Sequence, residues 1–124
     1  MGLKLAISRH RDPDCTLVGI IGDLDATTYS TARDQLSGLL AEGHVRIVMD
    51  VTELGFCDSG GIWILLEIHR RAKRDGGWVR LAGVNGFLQR LFTLTRLDAA
   101  FTIDADVTAS LAAVTLLEDP GAKD

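Results

Sequence analysis

The segment VRIVMDVTELGFCDSGGIW, Val45 to Trp63, decides the fold. Residues 45–51 form a strand-like stretch with Val45, Ile47 and Met49 on one side, and a polar loop follows. The string DSGG, 58–61, then opens a stretch with helical spacing. A strand, a loop and a helix in this order are typical of a crossover unit in a parallel sheet. The open question is what the hydroxyl of Ser59 does at the start of that helix.

The rest of the chain extends this unit in both directions. Strands are predicted at 3–8 and 15–21, joined as a hairpin by the turn 11–14, and Gly22 to Asp25 is predicted to break the second strand. A helix capped by Asp25 or Thr27 is expected to run to about Ala41, and its core-facing residues are expected to be Tyr29, Ala32, Leu36, Leu39 and Leu40. Further elements are expected in the second half of the chain: a helix at 59–74, a strand at 78–82, a short helix capped by Asn85, a strand at 100–103 and a helix from Asp106 or Thr108 to about 117.

The resulting order is β-β-α-β-α-β-α-β-α, which predicts an α/β fold. We expect a single domain over residues 1–118, with a mixed, mostly parallel sheet of about five strands and about four helices. Residues 119–124 are predicted to be a polar C-terminal tail.

Composition narrows the classes of function. The chain has 124 residues and a formal net charge of −4, so it lacks the basic character of a nucleic-acid-binding domain. Its apolar runs, such as 62–66, are far shorter than the ~18 residues that span a bilayer. Neither a signal peptide nor metal-ligand spacing is recognisable. We therefore expect a cytoplasmic protein with no membrane contact, no direct nucleic-acid contact, no metal and no cofactor.

The two cysteines, Cys15 and Cys57, lie in apolar surroundings. Buried free thiols are the favoured interpretation, and a redox pair is the alternative.

Three roles for Ser59 can be weighed from the residues. A hydrolase nucleophile is disfavoured, because Cys57 stands where Gly-x-Ser-x-Gly needs its first glycine and no histidine is placed as its base. A nucleotide-binding loop lacks its lysine, although a weak anion site stays open. The third role is a phosphoryl acceptor at a helix N-terminus, where the dipole and free N–H groups tolerate negative charge. A plain helix cap is the simpler alternative, and residue chemistry alone favours it.

The predicted helix 59–74 has two unlike faces. Its inward stripe is Gly61, Leu65, Ile68 and Ala72. Trp63 and Arg70 are predicted on the outer side with Ser59, and Leu66 is intermediate. An outward tryptophan beside a modifiable serine is typical of a partner-binding hot spot. Burial of Trp63 under another loop or under the C-terminal helix is equally compatible with the sequence.

Several separated motifs extend over nearly the whole chain and occur in one order. Gly22-Asp23-Leu24-Asp25 is similar to a Gly-Glu-Leu-Asp motif, and 48–61 is similar to a hydrophobic-Asp-hydrophobic strand followed by Phe-x-Asp-Ser-x-Gly. Gly76-Gly77 and the segment 84–97 continue the match. Together they resemble the STAS domain of the anti-sigma factor antagonist family.

The resemblance implies a protein–protein switch without catalysis of its own. The unphosphorylated antagonist would bind an anti-sigma factor that is also an ATP-dependent serine kinase, and so free a sigma factor. Phosphorylation of Ser59 would abolish this binding, and a serine phosphatase would restore it. The expected partner-binding residues are Asp23, Asp25, Asp58, Gly60, Gly61, Trp63, Leu66 and Arg70.

Two positions depart from the family pattern. Gly60 stands where the family often has a second small hydroxyl residue, and Trp63 stands where a small residue is usual. A second hypothesis is therefore kept: a STAS-type adaptor that docks on a non-kinase partner, for example a transporter assembly. In that hypothesis Ser59 is only a helix cap.

Overall fold

The computed structural model describes residues 2–118, so the predicted tail at 119–124 lies outside the described residues. The described chain forms six strands and four helices: β1 (Leu3–His10), β2 (Cys15–Leu24), α1 (Tyr29–Ala41), β3 (Arg46–Asp50), β4 (Leu54–Cys57), α2 (Ser59–Arg74), β5 (Trp78–Ala82), α3 (Gly86–Thr95), β6 (Thr102–Asp104) and α4 (Val107–Glu118). A short 3-10 helix, Leu97–Ala99, follows α3.

The sheet is mixed and mostly parallel, as predicted. Its order is β1-β2-β3-β5-β6, and β4 pairs with β2 outside that path. The β1–β2 hairpin is antiparallel, whereas β2–β3, β2–β4, β3–β5 and β5–β6 are parallel. The α/β class, the hairpin and the four helices are therefore confirmed.

Strand β4 was not predicted, and the sheet has six strands rather than about five. The segment Leu54–Cys57 is four residues long, contains Gly55 and buries its two end residues only, so it carries no alternating pattern. It becomes a strand because β2 offers it an unpaired edge at Gly22 to Leu24. A tertiary pairing, rather than local propensity, creates this element.

The end of β2 also differs from the prediction. Gly22 to Asp25 was expected to break the strand, but β2 continues to Leu24 through a shift of register between Gly22 and Asp23. The first helix then begins at Tyr29 with Thr28 as its cap residue, so neither Asp25 nor Thr27 is the cap. The Thr28 hydroxyl instead donates a hydrogen bond to the Asp23 carbonyl, at 2.8 Å, and closes the turn between β2 and α1.

Helices cover both faces of the sheet, and the side chains of β3 alternate between them. Ile47 and Met49 belong to a large buried cluster that includes residues of α1, α2 and α3. Val48 points to a smaller cluster, in which Val107 and Leu111 of α4 pack. This two-sided burial explains why the strand reads as nearly continuous apolar sequence.

Neither cysteine forms a disulfide, and both are buried, as predicted. Cys15 belongs to the smaller cluster and Cys57 to the larger one, so the sheet separates the two thiols. Burial, and then the nearby Asp58 carboxylate, raise the pKa of the Cys57 thiol to about 12. The redox-pair alternative is therefore excluded by position, and Cys57 stays a neutral thiol.

Candidate functional site

The candidate site lies where β2 and β4 end side by side. Asp23 is paired with Phe56, and Leu24 with Cys57, in the parallel register of the two strands. Because the carboxyl ends of parallel strands meet at one edge of a sheet, the segments after Leu24 and after Cys57 emerge together. Asp23, near the end of β2, and Asp25, just after it, therefore lie beside the segment that leads into Ser59.

Asp58, and not Ser59, is the cap of α2. Asp58 has an extended backbone (φ −96°, ψ −178°), and its Oδ1 accepts a hydrogen bond from the Gly61 N–H at 2.9 Å. Ser59 is the first residue inside the helix and is exposed. The sequence-based preference for Ser59 as the cap is therefore wrong. Asp and Ser are about equally good N-cap residues, and the structure has Asp58, one residue before Ser59, at the N-cap position.

This arrangement leaves the Ser59 hydroxyl exposed at the positive end of a 16-residue helix. Free backbone N–H groups of the first turn and the helix dipole favour an anion there. The basic residues Arg71, Lys73 and Arg74 lie in the last turn, where cations are favoured in turn.

Gly61 allows α2 to approach the strand ends closely. A Cβ at this position would lie 2.8 Å from both the Cys57 Sγ and the Leu24 Cγ, and 2.9 Å from the Leu24 carbonyl oxygen. Such contacts are shorter than van der Waals separations, so a side chain here would push the helix off the sheet. Gly61 is thus a packing residue behind the site, and it is buried.

Tyr29 is a residue of the site that the sequence did not reveal. Its spacing in α1 predicted only a core position, yet its hydroxyl donates a hydrogen bond to Asp58 Oδ1 at 2.5 Å. Its ring stands over Gly60, where a Cβ would lie 2.6 Å from the Tyr29 Cζ. The hydrogen bond to Asp58, and then partial burial, raise the pKa of Tyr29 to about 12. A polar-tipped aromatic four residues after the Gly22-Asp23-Leu24-Asp25 motif was the available signal.

Asp25 stabilises the turn that precedes α1. Its Oδ1 accepts hydrogen bonds from the Thr27 hydroxyl at 2.6 Å and from the Thr27 N–H at 2.9 Å. The hydroxyl contact is the main cause that lowers the pKa of Asp25, so this carboxylate is ionised near neutral pH. Together with Asp23 and Asp58, it makes this edge of the domain acidic.

Trp63 lies one turn after Ser59 and is 57% exposed, so α4 does not cover it, nor does a loop of the described chain. Ser59, Ile62, Trp63, Thr95 and Leu97 line a shallow cavity of about 140 Å³. The last residue of α3 and the 3-10 helix that follows it therefore form one wall of the surface beside Ser59. Phe56, 48% exposed on β4, adds a second apolar side chain near this edge.

Leu66 does not belong to this surface. It was predicted to be intermediate and was included among the partner contacts, but it is 2% exposed and belongs to the large core cluster with Leu88 and Phe92 of α3. A helical wheel cannot show that this side of α2 shares a buried cluster with residues of α3. Arg70 is exposed, eleven residues after Ser59, which is roughly 16 Å along the helix axis.

The three histidines all interact elsewhere. His10 Nδ1 contacts the Pro13 carbonyl at 2.9 Å, and His44 Nδ1 contacts the Arg9 guanidinium at 2.7 Å. His69 packs against Phe101, with ring centroids 5.3 Å apart.

Within residues 2–118, no group of three His, Cys, Asp or Glu side chains is arranged to hold a metal ion. The helices of that range are likewise too short or too polar to cross a bilayer.

Comparison with known proteins bears on this geometry. The STAS domain model matches residues 6–110. The chain belongs to the STAS domain family. The motifs at 22–25 and 48–61 lie inside the matched range, and the resemblance drawn from them is confirmed.

Similar proteins include anti-sigma factor antagonists. The anti-sigma F factor antagonist of Paenibacillus polymyxa is 27% identical over 111 residues, which cover 88% of this chain and 93% of that protein. An anti-sigma factor antagonist from Mycobacterium paratuberculosis has the same fold, with a TM-score of 0.81 at 20% identity, over 91% of this chain and 94% of that one. The phosphorylated form of the Bacillus cell fate determinant SpoIIAA superposes with a TM-score of 0.68 at 19% identity, over 91% and 99%.

The fold is also found outside this group. A sulfate transporter family protein from Wolinella succinogenes has a TM-score of 0.69 at 20% identity, over 82% of this chain and 84% of that chain. The fold alone therefore does not separate the two hypotheses, and the residues of the site must do so.

Proposed function

We propose that this STAS domain is an anti-sigma factor antagonist controlled by phosphorylation of Ser59. The unphosphorylated form binds an anti-sigma factor that is also an ATP-dependent serine kinase, and a sigma factor is released. The observation that carries the proposal is that two neighbouring residues have different roles: Asp58 caps α2, whereas Ser59 is exposed in its first turn. The hydroxyl is thus not needed for the cap and is presented to a partner.

The chemistry belongs to the partner enzymes. The Ser59 Oγ attacks the γ-phosphorus of ATP, and an O–P bond forms as the bond to the β,γ-bridging oxygen breaks and ADP leaves. The hydroxyl proton passes to a base of the kinase. A serine phosphatase reverses the change, because water replaces the Ser59 oxygen on phosphorus and yields inorganic phosphate. This domain contributes a positioned hydroxyl and a recognisable surface, and we assign it no catalysis of its own.

The electrostatics of the edge support loss of binding on phosphorylation. A phosphoserine adds a charge of about −1.5 to −2 at neutral pH. It would stand next to Asp58 at the edge that Asp23 and Asp25 also occupy. A partner that fits the unmodified acidic edge meets a larger negative charge in the contact, and such mismatches cost several kcal/mol. The domain itself tolerates the group, since the phosphate sits at a helix N-terminus.

The binding surface that we propose is centred on Ser59 and Trp63. The cavity wall from Thr95 and Leu97 and the exposed Phe56 extend it, and Asp23, Asp25, Asp58 and Gly60 form its acidic and turn portion. Arg70 marks its far end along α2. Gly61 and Leu66 support it from behind rather than contacting the partner.

A second candidate, the adaptor on a non-kinase partner, is retained because a transporter family protein shares the fold. Its original rationale, Ser59 as a cap, does not hold, since Asp58 has that role. An adaptor would still bind its partner through the Trp63 surface, but a negative charge at position 59 would not regulate that binding.

Affinity capture separates the two. Wild type, Ser59→Ala and Ser59→Glu are immobilised and exposed to a lysate of the organism that makes the chain. We expect wild type and Ser59→Ala to retain the same ATPase and Ser59→Glu not to retain it. On added ATP, the retained ATPase should phosphorylate the wild type on Ser59. Ser8→Glu is the matched control, because Ser8 is exposed on β1 and carries the same charge change far from the site. Equal retention of one non-kinase protein by every variant would favour the adaptor.

A further inference from the structure

The first turn of α2 contains an arrangement that the family motif does not describe. One carboxylate oxygen, Asp58 Oδ1, accepts two hydrogen bonds: from the Gly61 N–H at 2.9 Å and from the Tyr29 hydroxyl at 2.5 Å. Tyr29 is the first residue of α1, so this contact ties the starts of two helices together across 29 positions of sequence. It is a charge-assisted hydrogen bond, the stronger class.

Gly60 is the counterpart of Tyr29. A Cβ at position 60 would lie 2.6 Å from the Tyr29 Cζ and 3.0 Å from its Cε2, in addition to a closer overlap with the hydroxyl oxygen. A serine at 60 and the tyrosine ring in this place exclude each other. The departure from the family pattern at Gly60 is therefore explained by a side chain from another helix.

Phosphorylation of Ser59 would add negative charge to the first turn of α2. The phosphate would be attached one residue after the capping carboxylate, and like charges at that distance repel. If the Asp58 side chain rotated away, the Gly61 N–H would lose its acceptor and α2 would lose its cap. Tyr29 opposes that rotation, because its hydroxyl holds the same oxygen from the other side.

We propose that Tyr29 is a positioning residue of the Ser59 switch, which holds Asp58 on the helix N-terminus so that α2 keeps its cap when Ser59 carries a phosphate. The proposal rests on the proposed function, since it concerns the phosphorylated state. Gly60 is the residue that makes room for Tyr29. The Asp58 carboxylate raises the pKa of Tyr29 to about 12, so the phenol is a protonated donor throughout the physiological range.

The test compares a charged and a neutral side chain at position 59 in two backgrounds. Ser59→Glu and Ser59→Gln have nearly the same shape, so their difference in urea unfolding isolates the charge. In the wild-type Tyr29 background we expect the two to be nearly equal in stability. With Tyr29→Phe, which keeps the ring and removes the donor, we expect Ser59→Glu to lower the folded-to-unfolded ratio about tenfold relative to Ser59→Gln, a coupling typical of contacting residues.

Amide hydrogen exchange at Gly61 provides a readout that a general loss of stability would not move. We expect Gly61 to exchange faster in Tyr29→Phe/Ser59→Glu than in Tyr29→Phe/Ser59→Gln. The Ala109 amide is the internal control, because it donates to the capping Asp106 carboxylate at 2.8 Å in the same way at the start of α4. Its exchange should be the same in both variants. If Tyr29→Phe proves unstable, the wild-type background still tests the cap, because faster Gly61 exchange in Ser59→Glu than in Ser59→Gln would show that Tyr29 does not hold it.

An equal Glu-to-Gln difference in the two backgrounds would overturn the role of Tyr29, and so would unchanged Gly61 exchange. Neither measurement needs a partner, whereas the proposed function stands or fails on affinity capture. The failure of one proposal can therefore be told from the failure of the other. If Ser59 is the switch but Tyr29 has no role, Ser59→Glu would still lose partner binding, and the stabilities would show no coupling between positions 29 and 59.

Discussion

Asp58 Oδ1 accepts a hydrogen bond from the Gly61 N–H at 2.9 Å, so Asp58 caps α2 and the Ser59 side chain does not. Ser59 is left exposed on the first turn, one turn before the exposed Trp63. The fold thus separates a structural carboxylate from a hydroxyl that is open to modification, although the two are adjacent in sequence. The proposed switch depends on this separation.

The first prediction concerns the stability of the cap. Ser59→Ala should change the free energy of unfolding by no more than about 0.5 kcal/mol, because an exposed side chain away from structural contacts is lost. Asp58→Ala should cost about 1 kcal/mol or more, since it removes the cap and the acceptor of the Tyr29 hydroxyl. Urea denaturation measures both. Asp106→Ala, at the start of α4, is the matched control for a cap outside the site. A larger cost for Ser59→Ala than for Asp58→Ala would contradict the assignment.

The second prediction concerns the fit between Tyr29 and Gly60. Gly60→Ala should destabilise the wild type by about 1–3 kcal/mol, because the added methyl group overlaps the tyrosine ring. In a Tyr29→Ala background the same change should be neutral or stabilising by up to about 1 kcal/mol, as expected for replacing a helical glycine with alanine. The measurement is a double-mutant cycle in urea. Additive effects of the two substitutions would show that the ring does not occupy the space above position 60.

The third prediction concerns Trp63. Trp63→Ala should weaken binding to the captured kinase by about 2 kcal/mol or more, as for an aromatic hot spot, and leave the stability of the isolated domain nearly unchanged. Binding is measured by calorimetry with the purified partner. Leu116→Ala is the matched control, since Leu116 is 66% exposed on α4, outside the proposed surface. Similar losses for both variants would argue against a surface centred on Trp63.

The fourth prediction concerns alkaline pH. The pKa of Tyr29 is raised from 10.0 to about 12, chiefly by the hydrogen bond to Asp58. A raised pKa in the folded state means that the contribution to stability is complete below pH 10 and is lost as the pH rises from 10 towards 12. The stability advantage of wild type over Tyr29→Phe should therefore shrink across this window. Chemical denaturation between pH 8 and 12 checks this. Parallel curves for the two proteins would indicate that the Tyr29 hydroxyl does not bond to the carboxylate.

Sequence reasoning found most of the fold because its signals are long and local. The β1–β2 hairpin, β3, the inward stripe of α2 and β5 each carry a clear period or turn signal. What it missed depends on contacts between distant segments. Strand β4 exists because β2 offers an edge to Leu54–Cys57, and Leu66 is buried in a cluster shared with residues of α3.

The site was found only in part for the same reason. Ser59 and Asp58 stand in a motif and are visible from the sequence, but the choice of cap between them depends on backbone angles. Tyr29 reads as a core residue of α1 until the structure brings its hydroxyl to Asp58. Thr95 is the last residue of α3 and Leu97 follows that helix, so both reach the Ser59 surface only through the folded position of α3.

The central claim is that phosphorylation of Ser59 controls the binding of a kinase partner. The most direct measurement is the dissociation constant of the purified kinase for the unmodified protein and for the protein phosphorylated on Ser59. We predict that phosphorylation weakens binding at least about 100-fold, since a like-charge mismatch within an interface costs several kcal/mol. Equal affinity for the two forms would contradict the switch.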